Sequence, residues 1–182
     1  MSYSPRTILV GAAVSVALTT LARAADNGQL GIGHVASPSQ IAGWDIDVRA
    51  DGQGLPPGHG SVREGEKIFT ETCAACHGAK GEGKPADRLV GGFGTLATSK
   101  PVRTVGSYWP YASTLFDYIR RAMPFNAPQS LTADQVYAVS AYILYLNNIV
   151  TEDTVLDATS LPRVEMPNRN GFTSPDPRPD VP

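Results

Sequence analysis

The chain has 182 residues, 42% of them hydrophobic, with a formal net charge of −2 at pH 7. That length suits one domain with residues to spare, and the charge balance excludes the strongly basic footprint of a nucleic-acid-binding protein. The only two cysteines fall within one five-residue stretch, which excludes a disulfide framework.

Residues 1–24 read as a secretory signal peptide. Arg6 gives the basic start, Thr7 to Leu21 the apolar run, and Ala22-Arg23-Ala24 the small-residue close, with cleavage expected after Ala24. The run is short for a bilayer span of about 20 residues, so cleavage is preferred to a retained anchor. No later stretch could cross a bilayer. The expectation is an exported, periplasmic protein with no stable membrane insertion after cleavage.

Residues 25–60 read as an irregular N-terminal arm, rich in Gly, Pro, Ser and Asp. Within it the apolar patch from Ile41 to Val48 could lie against the domain. The alternation of Trp44, Ile46 and Val48 predicts a brief extended segment.

A helix begins at Ser61, where Ser61 and Glu64 make a capping box. Val62, Gly65, Phe69, Cys73 and Cys76 succeed one another at spacings of three and four, which predicts one face carrying both thiols toward the core. Gly65 inside a helix costs about 1 kcal/mol against Ala. The expected compensation is the close approach of a second helix.

The helix leads into Cys73-Ala74-Ala75-Cys76-His77, the C-x-x-C-H pattern of covalent c-type haem attachment. Each thiol can form a thioether to one edge of the porphyrin, and the adjoining imidazole can bind the iron. A redox-active C-x-x-C pair belongs in a βαβ context that this sequence lacks. A zinc site needs four ligands, and beyond His77 only His34 and His59, in Gly/Pro-rich stretches, could join. One covalent haem c is therefore expected, held by Cys73 and Cys76 with His77 on the iron. It is also expected to staple the small core, which should not fold stably without it.

Residues 78–112 read as loop, with Gly78, Gly81, Gly83, Gly91, Gly92 and Gly94. Such glycines let a backbone hug a flat ligand, and ordinary turns use them equally. Leu89, Val90, Phe93 and Leu96 are candidates to wall a haem pocket. Tyr108, Trp109 and Tyr111 are expected to cluster. Core packing accounts for them, and Tyr108 and Trp109 are the candidates to donate to a haem propionate. A short helix is predicted from Ser113 to Ala122, with Thr114 and Asp117 offering a cap. It should end near Met123, because Pro124 disfavours helical geometry before it.

The strongest helix signal comes next. Thr132 and Gln135 form a capping box, Leu131 and Val136 stand at staple positions, and the helix should reach about Asn147. Val139, Tyr142, Ile143 and Leu146 mark its apolar face, and Tyr142 or Tyr145 is the expected partner of Gly65 and Phe69. Residues 151–182 read as a Pro-rich acidic tail, disordered from Thr173. The predicted organisation is thus a signal peptide (1–24), an arm (25–60), a domain (61–150) and a tail (151–182).

The second axial position of the iron could be filled by Met123, Met166, His34 or His59, or stay open. Met123 lies 46 residues after His77, between two helices and stiffened by Pro124, and is preferred. Met166 reads as core. Histidine–methionine ligation raises the reduction potential and leaves no position for substrate, so the expected work is one-electron transfer. Charge is uneven: residues 77–121 carry seven basic and three acidic side chains, between flanks with the opposite balance. That could be ordinary solvated surface, or a basic ring that steers an acidic partner.

Taken together, the helix with Gly65 and Phe69, the C-x-x-C-H, the Met-Pro loop and the final helix with Tyr142 resemble a class I cytochrome c over roughly residues 61–148. The resemblance implies an all-α fold whose first and last helices cross around a covalent haem. It also implies haem-binding roles for Cys73, Cys76 and His77 and the distal role for Met123. A narrower resemblance, to the SoxD cytochrome subunit of sulfane dehydrogenase, rests on Trp44 to Arg49, Leu55 to Gly58, Arg88 to Gly92, Gly106 to Ala112, Arg121 to Phe125 and Met166 to Arg169. It implies an electron-transfer subunit rather than a catalyst by itself. Its partner would be a molybdenum-containing sulfite or sulfane dehydrogenase subunit, and its acceptor a protein such as another cytochrome c. SoxD proteins commonly carry two haem domains, whereas this chain shows one. The alternatives are a free-standing periplasmic carrier and an open-site haem sensor or enzyme. Arm and tail would wrap the partner or pack on their own domain.

Overall fold

The computed structural model describes residues 33–173. The signal peptide read over residues 1–24 lies outside the described residues, as does the tail after Thr173. No helix among the described residues is long and apolar enough to cross a membrane.

The chain divides into two units, residues 1–41 and 42–182. In the described part of the first, helix α1 (Pro38–Trp44) begins and continues across the boundary. It replaces the extended conformation expected at Trp44. The overlooked signal is Ser37-Pro38-Ser39-Gln40: Ser37 Oγ accepts from the Gln40 N–H, Gln40 Oε1 accepts from the Ser37 N–H, and proline opens the helix. Trp44 stays 87% exposed, whereas Val48, beyond the helix, is buried.

The second unit starts its regular structure with a short strand, β1 (His59–Ser61), paired antiparallel with β2 (Val155–Asp157) with Gly60 opposite Leu156. These are its only strands among the described residues, so the helices set the fold class as expected. Helix α2 (Val62–Thr72) starts directly from β1. Its capping box is complete, Ser61 accepting from the Glu64 N–H and Glu64 accepting from the Ser61 N–H. The Ser61 bonds hold the Glu64 carboxyl below its usual range. A lowered folded-state pKa means that this stabilisation is present above the unfolded carboxylate value and is lost as pH falls through the folded one. Glu64→Gln should therefore be less stable than the wild type near neutrality and level with it only once pH has fallen below the lowered folded-state value. Urea midpoints across that range check this.

The helix turns off line at Cys73, and a further turn, α3 (Ala74–His77), completes the motif. Val62, Gly65 and Phe69 are buried as expected, but Cys73 is half-buried and Cys76 exposed. The helix is interrupted between the two cysteines, at Cys73. The Cys73 carbonyl accepts from the N–H groups of both Cys76 and His77, which tightens the turn.

Helix α4 (Ala112–Ala122) begins one residue earlier than expected, with Tyr111 at its N-cap and no side-chain cap bond. Thr114 and Asp117 do not cap it. Asp117 is buried and instead accepts from the backbone N–H of Val48. The helix stops where Met123 becomes extended ahead of Pro124. Helix α5 (Ala133–Leu146) carries the expected capping box of Thr132 and Gln135.

The sequence marks one apolar face on α5, but every residue from Val136 to Leu144 is buried. Helix α2, the strand pair and α4 enclose it from several sides. Close approach is set by two glycines over Ala138. A Cβ at Gly65 would lie 1.9 Å from the Ala138 carbonyl oxygen, and one at Gly60 2.2 Å from its nitrogen. Phe69 and Tyr142 meet across the crossing with ring centroids 5.3 Å apart. Beyond α5, Leu156, Leu161 and Met166 are buried in the same core, so the chain after residue 150 contributes to it.

Candidate functional site

The site is assembled where α2 ends. Cys73 packs against the core, and burial, aided by the neighbouring Cys76, pushes its thiol up to about 11. Cys76 is exposed, and both thiols are free. His77 is half-buried, with Nδ1 2.8 Å from the Asp87 carbonyl oxygen. A carbonyl only accepts, so Nδ1 carries the proton and Nε2 presents its lone pair. Such a bond fixes both the tautomer and the plane of a metal-binding imidazole and raises its basicity.

The loop that supplies this carbonyl is tied to the motif on one side and to α5 on the other. Gly83 N–H donates to the His77 carbonyl at 2.7 Å, and Ala86 N–H to that of Cys76 at 2.9 Å. Asn147, fully buried just past α5, accepts from Gly91 N–H at 3.1 Å and donates to Leu89 O at 3.2 Å. Gly106 passes so close that a Cβ there would lie 2.2 Å from Asn147 Oδ1. Sequence reading missed both supports. The Asp87 contact belongs to the backbone, to which no residue type points. Asn147 had a usable signal, an amide closing an otherwise apolar helix.

Met123 is half-buried and packs against the core at the end of α4. Of the other candidate ligands, Met166 is 3% exposed within the core, and His34 and His59 are exposed. The aromatic cluster expected around Tyr108 is not formed. Tyr108 pairs with Phe172 at 5.2 Å, Trp109 with Tyr118 at 5.7 Å, and Tyr111 lies under Arg169. The chain fans these rings outward to separate partners. Tyr108 lies beneath the Arg103 guanidinium, on an open groove of about 350 Å³ that Leu96 and Phe172 also line. Of the residues proposed to wall the pocket, Leu89 packs on the core and Phe93 is 46% exposed.

The donor set suits a covalent haem. Two cysteines flank a helical turn, an imidazole adjoins them with Nδ1 bonded to a carbonyl, and a thioether is held on a separate helix end. A tetrahedral metal would need more converging donors, and among the described residues no group of three or more His, Cys, Asp or Glu side chains is so placed.

Comparison with known proteins agrees. The cytochrome c family profile matches residues 62–147. The chain belongs to the cytochrome c family, whose members carry single electrons on covalently bound haem c. Its relatives include the crystal structure of the sulfane dehydrogenase SoxCD from Paracoccus pantotrophus. That match is 47% identical with a TM-score of 0.76 and covers 82% of this chain and 73% of the SoxCD chain. A thiosulfate dehydrogenase of Psychrobacter arcticus is 30% identical over 82 residues, 45% of this chain. This chain spans only 25% of that enzyme's length.

Proposed function

We propose that this protein is a mono-haem cytochrome c that receives electrons from a periplasmic molybdenum-containing sulfite or sulfane dehydrogenase subunit. It passes them singly to an acceptor such as another cytochrome c. Cys73 and Cys76 would hold the porphyrin through thioethers, and His77 and Met123 would supply the ligands to its iron. The haem supplies the redox chemistry. The chain supplies burial, ligand orientation and a docking surface. The observation that carries this reading is the His77 Nδ1 bond to the Asp87 carbonyl, which leaves Nε2 available beside two free thiols. Tyr108 and Trp109 serve as propionate donors, Tyr108 backed by Arg103. Residues 1–24 direct export and are removed after Ala24. Residues 61–150 carry the haem, residues 46–59 and 151–166 pack onto the same core, and the outer parts of the arm and tail meet the partner. The partner assignment rests on the likeness to SoxCD at 47% identity. Lys80, Lys84, Arg88, Lys100 and Arg103 are all exposed and suit electrostatic steering of an acidic partner face.

The test joins two measurements. Sulfite, or a persulfidated carrier, should reduce the haem only when the dehydrogenase subunit is added. Equal reduction without it, or by unrelated donors, favours a free-standing carrier. Carbon monoxide should not bind the reduced wild type, whereas Met123→Ala should bind it and lose the methionine–iron charge-transfer band. Binding to the unaltered protein would mean an open-site sensor or enzyme.

A further inference from the structure

The segment before β1 is hydrogen-bonded along its length to the two helices that flank the Met123 loop. Three side chains from one face of α4 take its backbone: Arg120 donates to Ile46 O at 3.0 Å, Asp117 accepts from Val48 N–H at 2.8 Å, and Ser113 donates to Ala50 O at 2.7 Å. Two from α5 take the rest, Tyr137 donating to Pro56 O at 2.9 Å and Asp134 accepting from His59 N–H at 2.8 Å. Asp117 and Ser113 are both buried, and Asp117 is also paired with Arg121, two residues before Met123. The loop of residues 123–132, which begins with Met123, is the only covalent link between α4 and α5.

From this placement we infer that residues 46–59 act as a strap. It holds α4 and α5 at a fixed separation and so keeps the Met123 thioether seated on the iron. The inference rests on Met123 being the axial ligand. A loop opens at a frequency set by the contacts that must break, and a competing ligand reads that frequency as its own apparent affinity. Asp117, Ser113 and Tyr137 are positioning residues: they touch neither haem nor substrate.

Imidazole binding to the ferric protein tests it, with the methionine–iron band as the second readout. Asp117→Ala leaves the buried Val48 N–H unpaired and should tighten imidazole binding by about tenfold. Ser113→Ala and Tyr137→Phe each delete one hydroxyl bond and should tighten it severalfold. Neither is expected to prevent folding, so they stand if Asp117→Ala does not fold. Ser61→Ala, two residues past the strap, weakens the cap of α2 without touching the strap's bonds to α4 and α5, and should leave imidazole affinity unchanged. No tightening in the strap variants, or equal tightening in Ser61→Ala, overturns the strap. Absence of the methionine–iron band from the wild type is seen before any variant is made; it overturns the Met123 reading and the strap with it.

Discussion

Cys73→Ser/Cys76→Ser should leave a chain with no covalently bound haem. After denaturation and acid extraction the polypeptide should be colourless, and its mass should be that of the bare chain. A serine hydroxyl forms no thioether under conditions that join a thiol to the porphyrin, so the chain would keep at most the iron–imidazole bond. Soluble yield should collapse as well. No disulfide is available, and binding of a prosthetic group is folding free energy in a core this small. The single variants separate the roles. Cys73 packs on the core, so Cys73→Ser should disturb packing as well as attachment, and each single variant should lose one thioether. Covalent haem retained in the double variant would refute the assignment.

Gly65→Ala should lower stability by about 2 kcal/mol, although alanine is the better helix former. Propensity favours the change by about 1 kcal/mol. Against it, the new Cβ would lie 1.9 Å from the Ala138 carbonyl oxygen and 2.8 Å from Tyr142 Cβ. Those atoms belong to the most enclosed helix, so α2 must move instead. Overpacking of that kind costs roughly 1–3 kcal/mol, and more where backbone is the obstacle. Moving α2 also shifts Phe69 off Tyr142 and displaces Cys73, so the haem spectrum should change along with the urea midpoint. A fall in midpoint at unchanged slope confirms the packing effect. A stabilised variant would show that the crossing does not need glycine.

Under the proposed function, partner recognition would tie the chain's charge to its surface. Basic side chains cluster in the sequence after the motif, and most of them are exposed, so encounter with an acidic face should slow as salt rises. Trp44 and Phe125, each 87% exposed, add apolar surface of a kind more common at interfaces than on open monomer surface.

What the residues alone determined was local and chemical. Both capping boxes, at Ser61–Glu64 and Thr132–Gln135, depend on side chains three positions apart, and the end of α4 depends on Pro124. The attachment motif depends on two thiols and an imidazole in one run of five. Gly65 announced a close crossing because a glycine inside a helix otherwise only costs stability.

The tertiary structure decided everything carried by backbone groups and by distance along the chain. The Asp87 carbonyl orients His77, and no residue type announces a carbonyl. The turn at Cys73–His77 is tightened by main-chain bonds that no side chain announces. Tyr108, Trp109 and Tyr111 separated because their partners, Phe172, Tyr118 and Arg169, include residues some 60 positions away. Asp117 became an anchor for Val48 across 69 residues rather than a helix cap. Periodicity reports which way a side chain faces on its own element; what it meets there depends on how distant segments pack, and neighbouring residues in the sequence do not encode that.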